Sequence, residues 1–313
     1  MPPASPIVTE YATTDYLDSV RGYIAHLISL DNRFGGADLV KLAVRFFRTT
    51  HNQLGAGAYD PRIEKDLYAA VGELAEVVGW IAYDAEQHDL VRQMNQESLY
   101  FTRFAGDRSM ELLPLQNSSM HAGALGRPAE ALYIARSVLE GGYNLSPRLR
   151  SLFLTRKARA MAQGGDEGGL KIFDEVKSLF LEGVSDSDPA WAWWVDEREL
   201  AWHEAMAQRD LDRSAIAIEE FEHSVEATQP TEIRSQYLHR AYLLQAQMEM
   251  GAWQDFEKTV QSIIPLAPQV ASTRTVVILR HVVERISQAE HLVPGNVSSS
   301  TAQLAATLDT SAL

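Results

Sequence analysis

The stretch Gly72-Glu-Leu-Ala-Glu-Val-Val-Gly-Trp-Ile-Ala-Tyr-Asp-Ala-Glu-Gln-His-Asp89 decides the fold. Leu74, Val77, Val78, Ile81 and Ala85 recur at spacings of three and four, the period of one helical face. Gly79 and Ala82 are small, so a second helix can come close. Gln87-His88-Asp89 breaks the pattern, and Asp89 is suited to cap the helix that follows. A hairpin of this kind cannot bury its apolar face alone and needs copies stacked beside it.

The rest of the chain supplies the copies. Turn signals recur near 88, 126, 165, 209 and 251, about 38 to 44 residues apart. That spacing exceeds the ~34 residues of a tetratricopeptide repeat, and extra helical turns would absorb the difference. Ala124-Leu-Gly-Arg-Pro-Ala-Glu-Ala-Leu132 and Met250-Gly-Ala-Trp253 are tetratricopeptide-like turns. The pattern predicts helices over 14–32 and 37–54, five hairpins between 62 and 265, and a last helix over 272–288. Within the hairpins, 189–208 reads as one helix. No alternating segment persists, so no strand is expected. The expected fold is all-α: a right-handed tetratricopeptide-like helical-hairpin solenoid of about twelve helices. Its parts are a disordered lead (1–12), an N-terminal helical pair (13–60), the solenoid (61–290) and a disordered tail (291–313).

Composition narrows the function classes. A net charge of −14 disfavours direct nucleic-acid binding. The absence of cysteine excludes disulfides, thiol catalysis and cysteine-based zinc sites. With no long apolar run and no signal-like N-terminus, neither membrane insertion nor secretion is expected, and the expected compartment is the cytoplasm. Neither a Gly-rich phosphate loop nor a Gly-x-Ser-x-Gly elbow occurs. No cofactor, metal or catalytic residue is therefore expected.

The order of motifs carries a resemblance. Leu30-Asp-Asn-Arg-Phe-Gly-Gly36, Val78-Gly-Trp-Ile-Ala-Tyr-Asp-Ala85, Ala124-Leu-Gly-Arg-Pro-Ala-Glu-Ala131, Ser146-Pro-Arg-Leu-Arg150 and Asp196-Glu-Arg-Glu-Leu-Ala201 follow one another. Together they resemble the C-terminal, tetratricopeptide-like effector region of actinobacterial Xre-type helix-turn-helix transcriptional regulators, over about residues 14–288. The resemblance implies a role in regulation and gives no ligand. The family's DNA-binding domain has no counterpart in these residues, which fits either a truncation or a free-standing relative.

Candidate binding residues follow from helical spacing. Asp196, Glu199 and His203 share one face of the expected helix 189–208, suited to an amine, a metal or acid–base work. The alternative is a solvated face making ion pairs. Trp191, Trp194, Arg198 and Trp202 also share a face, suited to sandwich an aromatic or cationic ligand; packing between repeats is the alternative. Trp80 and Asp84, with Glu73 and Glu76, form a second acidic and aromatic face. Asn117, His121, Arg156, Tyr237 and Arg240 would complete a polar groove if they point inward. The leading expectation is a concave groove taking a small molecule or peptide, with its heart at 189–208. A protein partner and a homodimer stay open. Also open are an enzyme using the His203 helix and a pure interaction scaffold. On this reading Ala at Glu199 and His203 abolishes ligand response and leaves stability nearly intact.

Overall fold

The predicted apolar stripes form helices, with one interruption inside 189–208. The structure, a computed structural model, describes residues 11–310. It contains α1 (Thr14–Phe34), α2 (Val40–Gly55), α3 (Glu64–Asp84), α4 (His88–Ala105), α5 (Leu112–Ala124), α6 (Pro128–Glu140) and α7 (Pro147–Gln163). There follow α8 (Ile172–Leu181), α9 (Glu197–Asp210), α10 (Ser214–Ala227), α11 (Ile233–Met250), α12 (Trp253–Ile263), α13 (Thr273–Gln288) and α14 (Gly295–Thr310). Among the described residues no strand occurs, only an isolated bridge between Ala12 and Tyr59. The fold is an all-α helical-repeat solenoid, with α3 to α12 as five hairpins and a helical pair at each end.

The first hairpin shows why the stack is tight. A Cβ at Gly72 would lie 2.8 Å from Thr102 Cγ2, and one at Gly79 would lie 3.3 Å from Asn95 Oδ1. The early residue of α3 thus meets the late residue of α4, so the two run antiparallel in close approach. α3 is buried on nearly every side, from Leu67 to Asp84.

Two segments depart from the expected pattern. The helix expected over 189–208 is broken. Residues Ala190–Trp194 form a 3₁₀ turn, and α9 begins after Asp196, whose extended backbone and side chain cap the Glu199 amide at 3.0 Å. Asp196-Glu-Arg-Glu199 is itself a capping sequence, with its acceptor three residues before a glutamate. The tail expected to be disordered over 291–313 contains α14, whose Val297, Leu304 and Leu308 bury against the core that α11, α12 and α13 share. Small Ser, Thr and Ala residues allow that close packing, and only their composition suggested disorder. The expected lead over 1–12 lies outside the described residues, except for Tyr11 and Ala12, as do residues 311–313. Ala12 is held by backbone hydrogen bonds to Ala58 and Asp60.

The concave groove expected from the repeats is closed into a bore. The C-terminal end of α1 meets the segment before α13: the Phe34 carbonyl accepts from Ala271 N at 2.7 Å, and Ala37 N donates to the Ala271 carbonyl at 2.9 Å. Gly35 makes this approach possible, because a Cβ there would sit 2.7 Å from the Ala271 carbonyl oxygen; Gly36 lets the same segment meet α3, where a Cβ would sit 2.4 Å from the Ile81 carbonyl oxygen. The Gly36 amide donates to Asp84 Oδ2 at 2.9 Å. α1 also packs on α11, and α13 on α3. The first and last helical pairs thus overlap and complete one turn of the solenoid.

Candidate functional site

The first helices of the hairpins face the bore and divide it into two chambers. The first has a volume of about 280 Å³ and is walled by α1, α3, α5, α7, α9, α11, the start of α13 and the 190–194 turn. None of the even-numbered helices contributes to it. Trp80, Trp191, Trp193, Trp194 and Trp202 all line it, which is five of the six tryptophans in the chain. The second, of about 270 Å³, lies toward the C-terminal ends of α5, α7, α9 and α11, with Arg159, His203, Arg209 and Tyr242 among its walls. Met120, Arg156, Trp202 and Arg274 line both chambers and form the girdle between them.

A clasp of charges closes the ring at the first chamber. Asp31 on α1 lies 3.3 Å from Arg234 on α11 and accepts from Trp80 Nε1 at 3.0 Å. Asp84 on α3 accepts from Ser272 Oγ at 2.8 Å and lies 3.6 Å from Arg274 Nη2. The Arg234 and Arg274 guanidiniums sit 5.3 and 5.7 Å from the centre of the Trp80 ring. All four charged groups are buried. Burial pushes the Asp31 carboxyl up to about 6, although Arg234 opposes the shift.

A polar chain crosses the opposite wall. Asn117 on α5 donates to Glu76 on α3, and Gln116 donates to Asn117. Gln116 Oε1 accepts from Arg156 Nη2 at 2.8 Å. Arg156 also contacts His203 and lies 3.4 Å from Glu199, which is 2.9 Å from His203 Nε2. Four helices are thereby tied through one buried network. Burial pushes His203 down to about 3, with Arg156 adding to the shift, so the imidazole is neutral at ordinary pH. Burial alone would raise Glu199, but His203, Arg156 and Arg198 outweigh it and hold that carboxyl well below the usual range. Glu76 goes the other way: burial, with Glu73 and Asp31 nearby, pushes it up to about 8.

The sequence-derived candidates separate cleanly on this geometry. Trp80, Asn117, Arg156, Trp194, Glu199 and Trp202 line the first chamber, and His203 lines the second. The remaining five line neither. Asp196 is a helix cap, paired with Arg198 at 3.2 Å. Asp84 belongs to the clasp. His121 packs edge-on against Tyr83 and lies 3.3 Å from His88. Tyr237 is fully buried in the core between α11, α12 and α13. Arg240 turns back to the Gln236 carbonyl at 3.1 Å. Helical spacing put these five on shared faces; Asp196 precedes α9 as its cap, Asp84 is taken up by the clasp, and the rotation of α5 and α11 turned His121, Tyr237 and Arg240 away from the bore.

Other lining residues escaped the sequence reading. Arg234 and Arg274 come from the far end of the chain and reach Trp80 only through ring closure, which no local pattern records. Asp31 reads as part of a helix-stopping segment. Trp191 was visible in the tryptophan cluster. The indole N–H groups of Trp191 and Trp202 and one carboxylate oxygen of Asp31 are buried without a hydrogen-bond partner among the described residues. Such groups cost about 1–3 kcal/mol each unless a bound molecule or water satisfies them. Among the described residues no cluster of histidines and carboxylates suits a metal, and no helix is long and apolar enough to cross a membrane. No protein-family model and no curated protein matches the chain.

These shifts set the pH response of the fold. Glu76 titrates higher in the folded chain than in the unfolded one, so its contribution is full below about pH 4.5 and is lost as pH rises through about 8. Asp31 behaves alike between about 3.8 and 6. His121, His203 and His239 are depressed to about 4, 3 and 3, mainly by burial, so their contribution is present above about 6.5 and lost as pH falls through those values. Stability is expected to peak between about pH 6 and 7 and to fall by about 2 kcal/mol from pH ~6.5 to pH ~8.5. Glu76→Gln should flatten the alkaline limb and steepen the rise in stability between about pH 4.5 and 6.5. Thermal unfolding across this range checks it; an alkaline limb of full size in the variant would contradict the assignment.

Proposed function

We propose that this chain is a small-molecule-binding helical-repeat module that acts in transcriptional regulation. The observation that carries the binding reading is the first chamber, where five of six tryptophans converge with buried charged groups. Its volume of about 280 Å³ is just below the ~300–1,000 Å³ typical of small-ligand pockets, which suits a small ligand. Closure of the ring favours a small molecule over an extended peptide, because a peptide groove needs open ends. The regulatory half rests on the resemblance to Xre-type effector regions. Each chamber is built from helices distant in sequence, so a bound molecule would bridge α3 and α9 and bias how the clasp holds the ends together. That is a means of passing occupancy to a partner.

Mass spectrometry tests the binding reading. The chain isolated from its own cells and then denatured is expected to release one small organic molecule per chain. The double variant Trp194→Ala, Trp202→Ala should release none while remaining helical. Absence of any released molecule from the wild-type chain would count against the reading. The regulatory half is tested in transcripts: a strain carrying the double variant should reproduce the changes of a deletion strain. Unaltered transcripts in both would remove regulation and leave a binding module.

A further inference from the structure

The charged groups lining the first chamber are unequally matched. Each of its four guanidiniums has a carboxylate within reach. Arg156 lies 3.4 Å from Glu199, Arg234 lies 3.3 Å from Asp31, and Arg274 lies 3.6 Å from Asp84. Arg198 pairs with Asp196 at 3.2 Å and with Glu232. Glu76 and Glu73 also line the chamber, and among the described residues neither has a basic group within ion-pair distance. Glu76 is only 7% exposed. Among the described residues its one hydrogen-bond partner is the neutral Asn117 amide, and the neighbouring charges Glu73 from α3 and Asp31 from α1 are both negative. From α5 it faces the Asn117 and Gln116 amides, beyond which Arg156 of α7 is occupied by Gln116, Glu199 and His203. A buried carboxyl so placed is costly to ionise unless a cation comes to it.

The walls fit the same charge. Trp191 and Trp194 lie with ring centres 6.4 Å apart, and among the described residues no side-chain cation stands over either, unlike Trp80, whose ring Arg234 and Arg274 already approach. Indole faces attract cations, most strongly where water is excluded.

We infer that the first chamber selects an organic cation with an apolar body, its ammonium beside Glu76 and its body against the tryptophan wall. This deepens the small-molecule reading above and rests on it. The cation supplies the missing counter-charge, so Glu76 binds it as the carboxylate and gives up its proton to solvent as the ligand enters. Affinity therefore rises with pH up to the point where Glu76 is ionised in the empty chamber as well.

Calorimetry on the full chain with three benzyl probes tests this. Benzyltrimethylammonium is the cation, benzyl alcohol the neutral comparison and phenylacetate the anion. The cation is expected to bind at least tenfold more tightly than either comparison. Its affinity should rise severalfold between about pH 6 and 8, with proton release visible as a buffer-dependent heat. Glu76→Gln should lose at least tenfold for the cation, lose the pH dependence and leave benzyl alcohol unchanged; circular dichroism verifies that the variant is folded. Equal or tighter binding of benzyl alcohol or phenylacetate overturns the inference and leaves the small-molecule reading standing. So does a Glu76→Gln variant that keeps full affinity for the cation. If no probe binds and the isolated chain also releases no organic molecule, both fall.

Discussion

Replacing Asp84 with Ala is expected to lower stability by about 3–5 kcal/mol, the cost of leaving a buried ion pair half removed. Asp84 is fully buried and has four partners from three parts of the chain: the Gly36 amide, the Ser272 hydroxyl, and the Arg274 and Arg234 guanidiniums. Without it, Arg274 loses its carboxylate and is left among aromatic rings, with Tyr83 at 4.5 Å and Trp80 at 5.7 Å. The amide of Gly36 loses its acceptor at the seam where α1 meets the segment before α13. Two effects should appear together. The urea midpoint falls, and hydrogen exchange quickens at Gly36–Leu39 and at Ala271–Thr275 while α5 to α9 keep their protection. A drop in stability with uniform exchange would mean that Asp84 stabilises α3 locally and does not hold the ring closed.

Glu199→Ala is expected to cost a comparable amount. The sequence alone suggests a nearly neutral change, since a charged residue on a helix face is usually solvated. In the fold Glu199 is the carboxylate of Arg156, a residue only 3% exposed. Removing it leaves a buried guanidinium with the Gln116 oxygen and a neutral His203, a loss of about 3–5 kcal/mol. The double variant Arg156→Met, Glu199→Leu removes both charges and should recover most of that loss. Chemical denaturation of the four members of this cycle gives the coupling directly. Additive effects would show that the pair is not coupled and that Arg156 is held by its other partners.

What the sequence discloses and what it hides follow from the range of the signals. Hairpins are local. The stripe Leu74–Ile81, the small residues Gly79 and Ala82, and the turn glycines all act within one repeat, so the helices are found to within a few residues. The capping sequence Asp196–Glu199 was equally local, and its conflict with a continuous 189–208 helix was visible in the chain. The clasp is another matter. Asp31 and Arg234 are 203 residues apart, and their meeting depends on the curvature summed over every hairpin between them. Helix rotation is the second hidden quantity. Trp194, Glu199 and Trp202 turned toward the first chamber, whereas His121, Tyr237 and Arg240 lie on the same helices as lining residues and turned away. A rotation of a few tens of degrees decides between the two, and spacing of three and four does not fix it.

The aromatic first chamber is expected to hold a small molecule. A crystal structure of the chain purified from its own cells, without added ligands, tests it most directly. The expected result is density for a compact organic molecule against Trp194 and Trp202, within contact distance of Glu76, with the Asp31–Arg234 and Asp84–Arg274 clasp closed around it. A chamber collapsed by its own tryptophans, or occupied only by ordered water, would contradict the account.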